Sequence, residues 1–327
     1  MRILHVVGHS LVRFTPGRIA TCWGRYTDHT GRFIATKRTG GITRYREPLN
    51  PYGVFYANGR PDKLKAYIEE ADVIHCHDDE YPTRLTSRKD KVLVYHAHIG
   101  DIPKRLFRPR KFPYSPHVKH ACITNGYGRK FDDEEKRSGS HWGRLPDILD
   151  LDHPIYRPDY ALKHADEEKL RVIFTFSNAR EFGSKINAKC PKGTRQAIGN
   201  IEGVDLSIVS QVPFDTAMAM KRRAHVVLDE IFSPYTHLSA LEGAAVGSCV
   251  LVNYDDYTVA DLCDYVGAPH ESYPFVKVTP ETVRGVLKRL NDDKAEAIAL
   301  GRKAREWMVK YYHQEFLLKK YLEFYSQ

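Results

Sequence analysis

The chain has 327 residues, enough for about two domains of ordinary size, each able to bury its own core. With 42% hydrophobic and 28% charged residues it reads as globular, which excludes a disordered chain, and no apolar run is long enough to cross a bilayer. A formal net charge of +9 predicts an anionic partner: a nucleotide, an acidic membrane surface or nucleic acid.

The opening MRILHVVGHS has too short an apolar run for a signal peptide and no small-residue cleavage site behind it. It reads as a buried first strand and the protein as cytoplasmic, with attachment to the periphery of a membrane as the alternative. Cys22, Cys76, Cys122, Cys190, Cys249 and Cys263 are scattered singly without a CxxC, so they read as reduced thiols rather than a disulfide framework.

Along the first half, strands are predicted at 2–7, 73–76 and 92–95, and more weakly at 121–124, with apolar residues on both faces as in a sheet covered by helices on each side. A helix is predicted over 61–70, with Leu64, Tyr67 and Ile68 on one face. The run LPDILDLDHPIYRP, 145–158, is rich in proline and aspartate and reads as the link between domains, followed by a short charged helix over 161–169. A second series follows, with strands at 171–176, 205–209, 225–229 and 250–252 and helices at 194–198, 214–223, 238–246 and 258–265. The chain closes on helix over 280–291 and one long helical stretch from 294 to 325. The aromatic stripe of that stretch (Trp307, Tyr311, Tyr321, Phe324) reads as packing surface.

Ligands of open parallel sheets bind beyond the carboxyl ends of the strands, so the residues after each strand are the candidates for a site. After the strand ending at Phe176 comes a polar loop and then Lys192-Gly193-Thr194 at a helix start. Free N–H groups, the positive end of the helix dipole and a lysine favour a diphosphate there, with Arg180 and Lys185 in the loop adding charge. The same KGT also suits an ordinary helix start. The strand AHVVLD is followed by EIFSPYTH and by a helix of small residues, LSALEGAAVG. Glu242 sits in the apolar body of that helix. A buried carboxylate needs hydrogen-bond donors, which a ribose diol supplies; a solvent-facing edge position is the plainer alternative.

AHVVLDEIFSPYTHLSALEGAAVGSCVLV, with TFSN after a strand, KGT at the next helix and a terminal helix pair, resembles the GT-B glycosyltransferases. The likeness is to the retaining, family 4-like group that uses UDP- or GDP-sugars. In the first half MRILHVVG, ADVIHCHDD and VLVYHAHIGDIPKR are similar to that group in order and spacing, and the YTHL…E…A…G stretch resembles, more faintly, phage DNA glucosyltransferases.

The resemblance implies an α/β protein of GT-B type, two Rossmann-like domains facing across a cleft: an acceptor domain over 1–150 and a nucleotide-sugar domain over 151–308, with helix 309–327 packing back on the first. It implies that Lys192, Gly193 and Thr194, with Arg180 or Lys185, meet the diphosphate, and that Thr236, His237 and Leu238 line it. Glu242 would bind the ribose, Tyr235 and Asp229 the sugar side, and His98 would be the catalytic residue facing the reacting sugar. Arg18, Asp101, Lys104 and Arg105 would serve the acceptor, although a helix-start arginine such as Arg18 is equally a surface residue. No cofactor is expected beyond the co-substrate nucleotide diphosphate sugar.

One position departs from the pattern. The group carries a second glutamate eight residues before the helix one; here that position is Pro234, and the nearest acids are Asp229 and Glu230. Either acid substitutes, or the sugar is held differently.

His75 and His77 share a strand face, as a metal pair would, but no third ligand of matching spacing stands near in sequence. Asp78-Asp79 and Asp255-Asp256 read as solvated strand-end acids, and no metal is expected. The segment 104–144 is dense in lysine and arginine with Phe107, Phe112 and Tyr114 interleaved, which suits an anionic acceptor: a glycan or lipid-linked precursor at a membrane, or a hydroxylated base in DNA. A non-catalytic nucleotide- or glycan-binding module of the same fold is the rival of another class.

Overall fold

The computed structural model describes residues 1–7, 15–35, 55–56, 61–77, 88–98, 117–124, 126, 128–139, 141–164, 168–176, 191–210 and 212–327. They form two compact units, Met1–Leu149 with Gln314–Gln327, and Asp150–His313.

The first unit runs β1 (Arg2–Val7), α1 (Thr15–Tyr26), β2 (Thr30–Ala35), β3 (Phe55–Tyr56), α2 (Pro61–Glu70), β4 (Val73–His77), β5 (Val92–Ala97), β6 (Val118–Cys122), α3 (Gly128–Ser138) and β7 (Trp142–Arg144). The strands pair in parallel in the order β3-β2-β1-β4-β5-β6-β7. Chain order reverses between β1 and β4, so the switch point of this doubly wound sheet lies there.

The two faces of this sheet differ. One is apolar: Leu4, Val6, Ile74, Cys76, Leu93 and Tyr95 pack with Leu64, Tyr67 and Ile68 of α2. The expectation of apolar residues on both faces is corrected by the other. There, alternation along the strands aligns His5, His75, His77 and His96 in register, with His98 just past β5. Trp23 of α1 and Tyr321 and Tyr325 of the terminal helix cover these rings.

The second unit runs α4 (Tyr160–His164), β8 (Leu170–Thr175), α5 (Pro191–Ile198), β9 (Val204–Val209), α6 (Phe214–Arg223), β10 (Val226–Leu228), α7 (Leu238–Ala245), β11 (Cys249–Val252), α8 (Asp256–Val266), β12 (Val276–Lys277), α9 (Val283–Asp292) and α10 (Lys294–Tyr311). Its parallel sheet has the order β12-β11-β10-β8-β9, which reverses between β8 and β10. Gly243 lets α7 lie directly on β10: an added Cβ would meet the Val227 Cβ at 2.8 Å.

The single helical stretch expected from 294 to 325 is two helices. α10 ends at Tyr311, Tyr312 returns its amide to the Met308 carbonyl, and α11 (Gln314–Ser326) belongs to the first unit. Tyr321 donates to the Pro146 carbonyl at 2.7 Å. Lys119 donates to the carbonyls of Phe324 and Tyr325 at 3.1 and 2.8 Å, a cation at the negative end of the helix.

Candidate functional site

In the second unit, the carboxyl ends of β8 and β10 flank the switch point, and a tied set of polar side chains sits beside them. Glu242, buried in α7, accepts from the Lys221 ammonium at 2.7 Å. Lys221, in the last turn of α6 and itself buried, also donates to Ser239 Oγ at 3.0 Å, and Ser239 Oγ lies 2.8 Å from Thr175 Oγ1 at the end of β8. β8, α6 and α7 are thereby joined through one carboxylate, one ammonium and two hydroxyls. Burying this pair is tolerable because the charges neutralise each other and hydroxyls take further bonds.

The loop between β10 and α7 is pinned from within. Asp229 Oδ2 accepts from the His237 backbone N–H at 2.7 Å and lies 3.2 Å from its Nδ1. Glu230 Oε1 accepts from the backbone N–H groups of Phe232 and Ser233 at 2.6 and 3.3 Å. Thr258 donates to the Pro234 carbonyl at 2.6 Å, and the Thr236 hydroxyl lies 2.7 Å from that of Tyr273. A short, cross-braced loop leading into a helix N-terminus offers oriented backbone N–H groups to an anion.

In the first unit, the buried histidines form two hydrogen-bonded rows. Trp23 Nε1 donates to His5 Nε2 at 3.1 Å, His5 Nδ1 lies 2.9 Å from His77 Nε2, and His77 Nδ1 lies 2.7 Å from His98 Nε2. His98 Nδ1 stands 3.4 Å from Asp147 Oδ1, a charge contact just beyond hydrogen-bond length. In the second row the Tyr325 hydroxyl lies 2.7 Å from His75 Nδ1, His75 Nε2 lies 3.1 Å from His96 Nδ1, and His96 Nε2 meets the Leu145 carbonyl at 3.1 Å. The rings of His75 and His77 stack at 4.3 Å.

Burial is the main reason these imidazoles resist protonation: it lowers His5 to about 3 and holds His75, His77 and His96 well below the ordinary value, with neighbouring histidines adding to the effect. Nitrogens of His5, His75 and His77, and of His77, His96 and His98, come within 4.8 Å of one another. This corrects the sequence-based statement that His75 and His77 lack a third partner: it comes from the adjacent strands through sheet register, not from nearby sequence. The ligand type suits a transition metal, yet each of these nitrogens already faces a partner in the two rows.

No family model matches the sequence, and no curated protein matches it. Solved structures do. An alpha-glucosyltransferase in complex with UDP and a 13-mer DNA containing a HMU base is 10% identical, with all of each chain covered and a TM-score of 0.69. HepE of Anabaena, in complex with UDP and glucose, is 10% identical over 100% of this chain and 99% of its own, with a TM-score of 0.63. WaaG, a glycosyltransferase involved in lipopolysaccharide biosynthesis, is 11% identical over 98% of each chain, with a TM-score of 0.57. The fold is GT-B.

Within this GT-B fold the residues singled out in the sequence stand as follows. Asp229, Tyr235, Thr236, His237, Leu238 and Glu242 gather on the β10–α7 connection and α7. Lys192, Gly193 and Thr194 open α5, Lys192 exposed and Thr194 buried. Arg180 and Lys185, like Asp101, Lys104 and Arg105, lie outside the described residues, as do Asp78 and Asp79. Arg18 is 2% exposed, which corrects its alternative reading as a surface arginine: α1 turns it inward. Asp255 is the N-cap of α8, accepting from Thr258 N–H at 3.0 Å, rather than a loose solvated acid.

Glu242 is neither at a solvent edge nor without a donor, because Lys221 meets it. Lys221 was missed; its one local signal is the i, i+3 spacing from Met218, which puts both on the buried side of α6. Asp229 and Glu230, the two acids nearest Pro234, each spend an oxygen bracing the loop itself. His98 is buried, its Nε2 hydrogen-bonded to His77 and its Nδ1 in charge contact with Asp147 at 3.4 Å.

Proposed function

We propose that this protein transfers a hexose or similar sugar from a nucleoside diphosphate sugar, UDP- or GDP-linked, to a hydroxyl acceptor. The observation that carries the reading is the placement of Glu242, a buried carboxylate in α7 held by Lys221 at the switch point of the second sheet, under the braced loop 229–238. A carboxylate so placed suits the hydroxyls of a ribose, and the start of α7 suits a diphosphate. The GT-B neighbours with UDP bound support the same reading.

In the reaction, the bond from the anomeric carbon to the diphosphate oxygen breaks, a bond from the acceptor oxygen to that carbon forms, and the proton of the acceptor hydroxyl passes to the departing diphosphate. Negative charge grows on the departing diphosphate, so cations and N–H groups aimed at it lower the barrier. The proposal assigns that work to Lys192, Gly193 and Thr194 at the start of α5, with Arg180 and Lys185, and to Thr236, His237 and Leu238 lining the diphosphate, the His237 N–H itself being held by Asp229. Tyr235 is assigned to the sugar side. Asp229 is assigned to shaping the loop, since its oxygen is engaged with His237. In the first unit His98 is assigned to the reacting sugar as the catalytic residue, and Arg18, Asp101, Lys104 and Arg105 to the acceptor. Retention of configuration belongs to this proposal on resemblance.

For the acceptor we favour a hydroxylated base in DNA. The net charge of +9 and the TM-score of 0.69 to the DNA-bound alpha-glucosyltransferase support it. A glycan or lipid-linked precursor at a membrane surface is the second reading, supported by the likeness to WaaG; no helix of the described residues is long and apolar enough to cross a membrane. The test is incubation with UDP- and GDP-sugars beside DNA carrying hydroxymethylated bases, unmodified DNA, and anionic lipid-linked glycans. Sugar incorporated into hydroxymethylated DNA, with binding that weakens steeply with salt, is the expected result. Incorporation into the glycan alone moves the acceptor to the second reading. Absence of turnover with every donor, beside unimpaired nucleotide binding, identifies a non-catalytic module.

A further inference from the structure

We propose that Trp23, acting through His5 and His77, locks His98 in a single tautomer with its proton on Nδ1, the nitrogen that faces Asp147, and that His5 and His77 are positioning residues for His98. An indole N–H can only donate, so His5 Nε2, 3.1 Å from Trp23 Nε1, must accept and the proton of a neutral His5 must sit on Nδ1. That N–H points at His77 Nε2, 2.9 Å away, so His77 in turn carries its proton on Nδ1 and donates to His98 Nε2 at 2.7 Å. His98 is left with its proton on Nδ1, which stands 3.4 Å from the Asp147 carboxylate. At that distance the carboxylate is a charge contact rather than a hydrogen bond, and its negative charge favours the proton on the nitrogen that faces it, the same direction that Trp23 sets at the near end.

The second row is pinned the same way and in the opposite tautomer. The Leu145 carbonyl only accepts, so His96 donates from Nε2, accepts at Nδ1 from His75 Nε2–H, and His75 Nδ1 accepts the Tyr325 hydroxyl. The five rings thus sort into three protonated on Nδ1 (His5, His77, His98) and two on Nε2 (His75, His96). His5, His75, His77 and His96 need no charge in this pattern, in keeping with their burial. Both rows end on the stretch 145–147, so the histidine face holds that stretch as well as the ring of His98. A protein that needed these positions only as filler would place aliphatic residues there, as it does on the opposite face of the same strands.

The consequence for catalysis rests on the assignment of His98 above; the tautomer itself does not, and the two are measured separately. Long-range 15N–1H correlation spectra of the imidazoles in the wild-type chain report each tautomer directly. The expected pattern is Nδ1–H for His5, His77 and His98 and Nε2–H for His75 and His96. His98 found as Nε2–H, or zinc bound stoichiometrically to these rings in the purified protein, overturns the proposal.

The positioning role is read from a pair of variants. Glutamine at 77 can still accept from His5 and donate to His98, whereas leucine can do neither. His77→Gln is expected to keep the His98 Nδ1–H signature and most of the transfer rate. His77→Leu is expected to give mixed His98 tautomers and to slow transfer by roughly tenfold or more, as wrong-tautomer variants do elsewhere. Equal rates in two folded variants, with the His98 tautomer differing between them, would overturn the positioning role while leaving the tautomer assignment standing. If neither variant folds, the wild-type spectra still decide the tautomer.

Discussion

Lys221 and Glu242 are paired at 2.7 Å inside the second unit, an ammonium at the end of α6 against a carboxylate in the body of α7. Both side chains are almost wholly withdrawn from water, 2% and 10% exposed, so neither charge has solvent to fall back on. Lys221→Met strands a buried carboxylate and is expected to destabilise the protein by roughly 3–5 kcal/mol. The double variant Lys221→Met with Glu242→Met is expected to lose less than the sum of the two single changes, because it removes both charges together. Urea unfolding of the four proteins in the cycle checks this; simple additivity would mean the pair is not coupled.

The histidine face makes stability depend on pH above the range where carboxylates titrate. His5 is lowered to about 3 by burial, and His75, His77 and His96 lie well below 6.5; His120, on the opposite face beside Tyr95 and Trp142, is lowered to about 4 by burial and adds to the effect. Above the unfolded value of about 6.5 neither state holds these protons, and their contribution to stability is complete. As pH falls below that, the unfolded chain binds protons the folded one refuses, and stability declines until the folded values are reached. Each such histidine contributes a slope of about 1.4 kcal/mol per pH unit within its window. Thermal melts between pH 7 and pH 5 should show a steep loss; a flat profile there would mean the rings are hydrated.

Lys163 extends the same trend upward. Its ammonium, buried against the Ala224 carbonyl and Ser248 Oγ, is pushed down to about 7 by desolvation. Stability from this group is full above the unfolded lysine value, declines as pH drops from there toward the folded one, and changes no further below it. Between about pH 7 and pH 10 the wild type is expected to gain stability relative to Lys163→Met, and parallel melting curves across that window would contradict it.

Asp229 gives the loop its shape. Asp229→Ala removes the acceptor for the His237 N–H and is expected to lower nucleotide affinity about tenfold while costing on the order of 1–3 kcal/mol in stability. Calorimetric titration with UDP and GDP, beside thermal melts, separates the two effects. Unchanged affinity would show that the brace does not serve the nucleotide.

Gly243→Ala tests how closely α7 lies on the sheet. Its new Cβ would stand 2.8 Å from Val227 Cβ, with both Val227 methyl groups at 3.0 Å, and no flexible chain end is there to yield. A loss of about 1–3 kcal/mol is expected in denaturant unfolding, against the small gain a Gly→Ala change brings in an uncrowded helix.

Much of the fold was legible in sequence, because strands such as Val226–Leu228 and Cys249–Val252 are continuous apolar runs, Arg2–Val7 and Val73–His77 are rich in valine and isoleucine, and helices such as Phe214–Arg223 keep their period. Thr30–Ala35 escaped because threonine, glycine and arginine open it, and only its pairing with β1 makes it a strand. The histidine face escaped for a related reason. His75 and His77 show two-residue alternation, but that His5 lies opposite one and His96 opposite the other is set by register between distant strands. In the candidate site, Glu242 stood out as a lone acid in an apolar helix. Its partner did not, since Lys221 precedes two arginines and reads as part of a solvated basic helix end. Burial of the first of those three cations is decided by how α6 meets α7.

The central claim is that Glu242 belongs to a nucleotide site, and isothermal titration of UDP and GDP into wild type and Glu242→Gln tests it most directly. With folding of the variant verified by its melting curve, wild type is expected to bind at least one of the two nucleotides, and the variant about tenfold or more weakly, a difference of about 1.4 kcal/mol. Binding of equal strength in both proteins, or of neither nucleotide to the wild type, would contradict the account.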